Sequence, residues 1–223
     1  MIRIGLSLSL AVLTIPGSAF AQTKDHAPTA LPSSSRLRQD SPRSESWTYA
    51  KPGLKLGAYR KMMVVPTVVY SGPDAQFDGV DGADRQKYAQ IVTEALRREL
   101  AKSFPIVDSA GADTLRIRVT LLGADTTKKG IATATRVTPM GLASNAVRSI
   151  AGKEGRFTGS LLLALELQDG KSNVLQFAAV RRRSPDALDI PATLSTTETV
   201  KAIAQALAKD IRERLAQAPG GAN

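Results

Sequence analysis

Leu115-Arg116-Ile117-Arg118-Val119-Thr120-Leu121-Leu122 places apolar side chains at 115, 117, 119 and 121 and Arg116, Arg118 and Thr120 between them. A period of two marks a strand with one buried face, because successive side chains leave a strand on opposite sides. The basic residues therefore share the other face. The pattern returns downstream, where Leu161, Leu163, Leu165 and Leu167 alternate with Ser160, Leu162, Ala164 and Glu166. Asp169-Gly170 is a turn signal, and Val174 to Arg181 reads as the returning strand of a hairpin.

Two amphipathic helices flank these strands. Tyr88, Ile91, Val92, Ala95, Leu96 and Leu100 form one stripe over residues 84–103, and Pro105 stops it. Ser195-x-x-Glu198 is a capping box ahead of Val200, Ile203, Ala204, Leu207, Ala208, Ile211 and Leu215. Upstream, Met62 to Tyr70 is a Val-rich run consistent with a buried strand. Pro66 demands an edge position or a bulge, because proline donates nothing to a ladder. Phe104 to Val107 is a candidate short strand, and a Gly-, Ala- and Thr-rich excursion over 126–154 is expected to hold a short helix near 141–151. The order predicts an α/β protein of α+β two-layer type: a mixed sheet of four to five strands with two main helices on one face. The first helix would be a crossover between parallel strands.

The ends read differently. Arg3, an apolar stretch from Ile4 to Ile15, Pro16-Gly17 and Ala19-Phe20-Ala21 have the layout of a secretory signal peptide cut after Ala21. The organisation expected is a signal peptide over 1–21, a disordered spacer over 22–45, a single domain over 46–217 and a frayed tail over 218–223. The spacer reading rests on Pro28, Pro32, Pro42 and a run of serines. Removing 21 of 223 residues leaves 202, enough for one well-buried domain. The expected location is the periplasm or the exterior.

Composition removes several chemistries. The chain has no cysteine, which excludes a disulfide framework, a zinc-thiolate site, a cysteine nucleophile and a lipid anchor on a thiol. Its one histidine, His26, lies in the expected spacer, a poor place for a catalytic base or a metal ligand. No cofactor motif is present, and the glycines form neither a phosphate loop nor a dinucleotide fingerprint. No second apolar run reaches membrane length, so the mature chain is expected to have no transmembrane span. The net charge is +10, falling to +9 when Arg3 leaves. Export argues against nucleic acid and favours anionic envelope components or an envelope protein as partners. A solvated basic surface is the plainer reading of the same excess.

Four groups carry candidate sites. Asp74, Asp78, Asp81 and Asp84 have the ligand type for a hard cation, but their spacing is not that of an EF-hand, and Asp81 or Asp84 suits a helix cap. Arg181, Arg182 and Arg183, with Lys128 and Lys129, have the chemistry to grip phosphate or carboxylate. If Arg116, Arg118 and one of those arginines share a sheet face, that face is the best anion surface. Residues 139–156 form a weakly amphipathic segment, a partner or membrane contact or simply a helix over one end of the sheet. Glu166 and Asp169 are the one nearby carboxylate pair, although Asp169 belongs to the turn signal.

Several segments resemble the DUF3313 family, bacterial envelope proteins of unknown function, many of them lipoproteins. The likeness rests on Lys51-Pro52-Gly53 followed by Tyr59, on Gly111-Ala112-Asp113-Thr114-Leu115-Arg116-Ile117-Arg118, on Gly155-Arg156-Phe157-Thr158-Gly159, and on Glu166-Leu167-Gln168-Asp169-Gly170 with the closing helix. It spans about residues 47–216, and the position after Ala21 is Gln22 where a lipoprotein carries cysteine. The resemblance implies an envelope location and no catalytic residues. The expectation is a non-enzymatic binding module of the cell envelope. A carboxylate-based hydrolase and a cation-binding protein using the 74–84 loop are the alternatives.

Overall fold

A computed structural model describes residues 25–125, 159–185 and 195–218. The signal-peptide segment, the 126–154 excursion, the 139–156 segment, Lys128 and Lys129 lie outside the described residues. The long alternating run forms the central strand β6 (Thr114–Asp125). The remaining strands are β1 (Arg38–Gln39), β2 (Trp47–Ala50), β3 (Lys61–Val64), β4 (Val68–Val69), β5 (Gln76–Asp78), β7 (Ser160–Asp169) and β8 (Leu175–Arg183). The helices are α1 (Gly82–Leu100) and α2 (Thr196–Ala216).

The sheet runs β1-β2-β8-β7-β6-β3, with β4 and β5 also paired to β6. The β7–β8 hairpin and the β6–β7 pairing are antiparallel, whereas β3, β4 and β5 run parallel to β6. The sheet is thus mixed, and α1 is the crossover between parallel partners, as expected. The strand count is corrected: eight strand segments are present among the described residues, not four to five. Pro66 explains part of the excess. It separates β3 from β4, so one edge is laid down in short pieces along β6. On the opposite edge, β1 and β2 are two and four residues long, too short to show alternation. Phe104 to Val107 contributes only a parallel bridge from Ile106 to Met62.

The buried strand residues divide by parity. Leu115, Ile117, Val119, Leu121, Leu161, Leu163 and Leu167 pack with Met62, Val64 and the apolar stripes of both helices. Leu122 falls on the other face by alternation, and a register shift between Leu121 and Gly123 then returns Ala124 to the helix side. On the face away from the helices Leu122 joins Leu162, Ala164, Leu175, Ala178 and Val180, with Tyr70 and Leu37. The helices start where the chain predicts. Asp81 Oδ1 accepts from Asp84 N at 2.8 Å, and Ser195 Oγ accepts from Glu198 N at 3.2 Å.

Leu37 belongs to this second cluster although it lies in the expected spacer. The disordered reading is corrected for residues 25–45. Ser33 and Leu37 are buried, and Leu31, Trp47 and Tyr49 pack against the same cluster. Two apolar anchors and a buried charge hold down a segment whose composition alone suggests solvation. Residues 25–37 form a strap on the sheet face that the helices leave free.

Candidate functional site on the face away from the helices

Cross-strand register places Arg118 opposite Glu166, Glu166 opposite Ala178, and Ala178 opposite Tyr49. Arg116 lies opposite Gln168. Two basic side chains on β6 therefore adjoin a carboxylate and an amide on β7, on the face that carries the strap. Glu166 is only 1% exposed. Its Oε1 accepts from Ser33 N of the strap at 3.0 Å, while Glu166 Oε2 and Ser33 Oγ have no hydrogen-bond partner. A buried carboxylate left half satisfied is costly, about 1–3 kcal/mol for an unmade bond.

The arginines meet different fates. Arg116 donates from Nη1 to Asn173 Oδ1 at 2.7 Å, and its Nε is buried without a partner. Arg118 is half-buried, its Nε is likewise orphaned, and it makes no hydrogen bond or ion pair among the described residues. Arg182 shares their face but is committed. Nε and Nη2 clasp the buried carboxylate of Asp25 at 2.7–3.0 Å, and Nη1 reaches Asp125 at 2.9 Å and Ser160 Oγ at 2.8 Å. Arg181 and Arg183 point to the opposite face, where they pair with Asp40 at 3.2 Å and Asp210 at 2.9 Å. The condition set by the sequence is met, since Arg116, Arg118 and Arg182 share one face. The charge left free there belongs to β6.

The strap is tied down at its other contacts by the acidic loop. Asp74 accepts from Thr29 N at 2.8 Å and from Tyr70 OH at 2.6 Å, and its carbonyl lies 3.2 Å from His26 Nε2. Burial pushes the Asp74 carboxyl up, but the bonds from Tyr70 and Thr29 outweigh that and leave it below its ordinary value. Asp81 caps α1, and Asp84 lies in the first turn. Two of the four aspartates thus have structural tasks, and no group of three His, Cys, Asp or Glu side chains converges among the described residues.

Glu166 and Asp169 do not form a pair. Asp169 lies on the helix side, opposite Leu115, where it accepts from Tyr59 OH at 3.0 Å and from Ser172 N at 2.7 Å. Glu166 lies across the sheet from it, so the two carboxylates cannot flank one scissile bond. Asp25 and Ser33 are the residues that the sequence did not single out. The available signal was Leu31 and Leu37, two apolar residues in a polar stretch.

The fold and this face describe an α+β domain with helices on one side of its sheet and a strap on the other. The chain belongs to the family of proteins of unknown function DUF3313, whose model matches residues 28–211. The match begins inside the strap, upstream of the residue 47 at which the resemblance begins. Among solved structures, two of the PelC dodecamer from Paraburkholderia phytofirmans are 13% and 12% identical. They cover 78% and 74% of this chain and 97% and 94% of PelC, each with a TM-score of 0.38. A DUF330 protein from Xanthomonas campestris is 8% identical, with 73% of this chain and 87% of that one covered and a TM-score of 0.34. No curated protein matches the chain. No helix among the described residues is long and apolar enough to cross a membrane.

Proposed function

We propose that this protein is an exported, non-enzymatic binding module of the bacterial cell envelope that recognises an anionic envelope component at Arg116 and Arg118. One observation carries the reading: Arg118 is a half-buried guanidinium that makes no ion pair or hydrogen bond among the described residues, not even with Glu166 opposite it, and lies two positions along β6 from a second arginine. A cation partly withdrawn from water and unpaired gains from an incoming phosphate or carboxylate that accepts its forked donors. The neighbouring ion pairs of Arg181, Arg182 and Arg183 keep those residues from competing for it. Separation of Glu166 from Asp169 supports binding over hydrolysis. The signal-peptide layout of residues 1–21 supports export.

The test is recovery of envelope components on the immobilised protein from periplasmic and outer-membrane fractions. Arg118→Ala is expected to reduce recovery several-fold at low salt, with a smaller effect at high salt. Equal recovery by both proteins removes the reading. Mass spectrometry of the protein from its native host should give Gln22 as the first residue, and a full-length cytosolic product would contradict export.

A further inference from the structure

We propose that the groove between the end of α1 and the middle of α2 is a second anion-binding site, for a compact phosphate-bearing ligand. The two helices run in the same direction. Lys87 Nζ bonds Thr197 Oγ1 near their starts, and Arg212 Nε bonds Glu99 Oε1 at 3.0 Å near their ends. Between them Ala202 and Ala206 are too short to fill the space, and an open groove of about 730 Å³ results. Arg98 and Lys102 line it from the α1 side, and Lys209 and Arg212 from α2.

Four cations face one carboxylate, Glu99, so the lining carries a net charge of +3. Glu99 is shared by Lys102 and Arg212, and Arg212 also reaches Glu213 at 3.3 Å. Arg98 and Lys209 make no ion pair or hydrogen bond among the described residues. Charge at a helix end is ordinarily explained by the macrodipole, which acts within the last turn. Lys209 lies about two turns before the end of α2, so that explanation does not reach it.

The charges select the ligand. Ala202 to Lys209 spans about 10 Å along the axis, a distance over which the lining cations can converge on a phosphate or diphosphate. Arg98 supplies an unpaired guanidinium fork and Lys209 an unpaired ammonium, while Arg212 and Lys102, held on Glu99, add positive charge beside them; this matches a multiply charged oxyanion better than a lone carboxylate. No aromatic residue lines the groove, so there is no platform for stacking a sugar. A flat bilayer cannot follow a concave floor, which favours a discrete ligand. This site is on the opposite side of the sheet from Arg116 and Arg118, and it does not depend on the reading proposed for them.

The experiment is a titration of the purified full chain with inorganic pyrophosphate at low salt, followed by amide NMR. A parallel arm uses vesicles containing phosphatidylglycerol. Pyrophosphate should move the amides of residues 98–102 and 205–212. The exposed double variant Arg98→Glu/Lys209→Glu should weaken that binding about tenfold or more with an unchanged melting temperature. Arg116→Ala/Arg118→Ala should leave the pyrophosphate-induced shifts of residues 98–102 and 205–212 as in the parent, which separates failure of this site from failure of the other. Absence of shifts at millimolar pyrophosphate overturns the proposal. So does undiminished binding by the charge-reversed variant, or binding to vesicles alone.

Discussion

Arg181, Arg182 and Arg183 are identical side chains at consecutive positions, yet each answers to a different acid. Arg182 holds Asp25, whose side chain is 3% exposed, whereas the Arg181–Asp40 pair is 48% and 30% exposed. Removing one partner of a buried pair strands the other charge, so Arg182→Ala should cost about 3 kcal/mol or more in urea melts. Arg181→Ala should cost at most about 1 kcal/mol. Tyr59 and Asp169 set the pH limits of the same hairpin end. Burial, with the bond to Asp169, pushes the Tyr59 hydroxyl up from 10.0 to about 12. The folded state therefore keeps a proton that the unfolded state releases, and stability should fall as pH rises from about 10 to 12. Tyr59→Phe should flatten that limb in pH-dependent thermal melts. The bonds from Ser172 hold the Asp169 carboxyl below its ordinary 3.8, with Tyr59 adding to them. Its contribution is present above that value and lost as pH drops through the folded one. Asp169→Asn should shrink the acid limb. These roles were only partly visible beforehand. Asp169-Gly170 announced a turn, but nothing near residue 59 announces a partner 110 positions away.

At the level of elements, the strongest periodicities coincide with the helices and strands they predict, because they depend only on neighbours along the chain. The residues of the α2 stripe are all buried, and so are Leu115, Ile117, Val119 and Leu121 of β6. What escaped were elements made by long-range pairing. β5 exists because Gln76–Asp78 lies beside Gly123–Asp125, and the approach is close. A Cβ on Gly123 would stand 2.3 Å from the Gln76 carbonyl oxygen. Gly123→Ala should push β5 away and cost about 2 kcal/mol, read by denaturant unfolding. Loss of the β5 amides from the slow-exchanging set would locate the damage. Ser195→Ala removes the α2 cap and should cost about 1 kcal/mol without changing the pairing of the sheet.

At the scale of the whole fold, the described residues form three layers: helices, sheet and strap. The strap covers apolar residues of the sheet and satisfies one oxygen of Glu166. A chain beginning at residue 38 should therefore not behave as the same domain relieved of a loose tail. Without the strap, Leu162, Ala164, Ala178 and Val180 lose cover and Glu166 loses its donor. The shortened protein should melt well below the parent and bind a hydrophobic dye; an unchanged melting temperature would show the strap to be dispensable. The basic excess is distributed on this scale as well. Among the described residues, part of it lies with the β6 arginines on one side of the sheet and part in the α1–α2 groove on the other, while Arg181, Arg182 and Arg183 are held in internal pairs.

Local order along the chain was enough to determine a mixed α+β sheet, its long alternating strand, its hairpin and its two helices, since alternation and helical stripes need no knowledge of distant residues. It was also enough to show which chemistries the missing cysteines deny. Only the tertiary structure decided which arginines remain free, that Asp25 and Ser33 close over the sheet, and that two helix faces meet in a cationic groove. Each of those outcomes depends on pairing distant parts of the chain, where burial and cross-strand register, rather than residue type, assign a charge its partner.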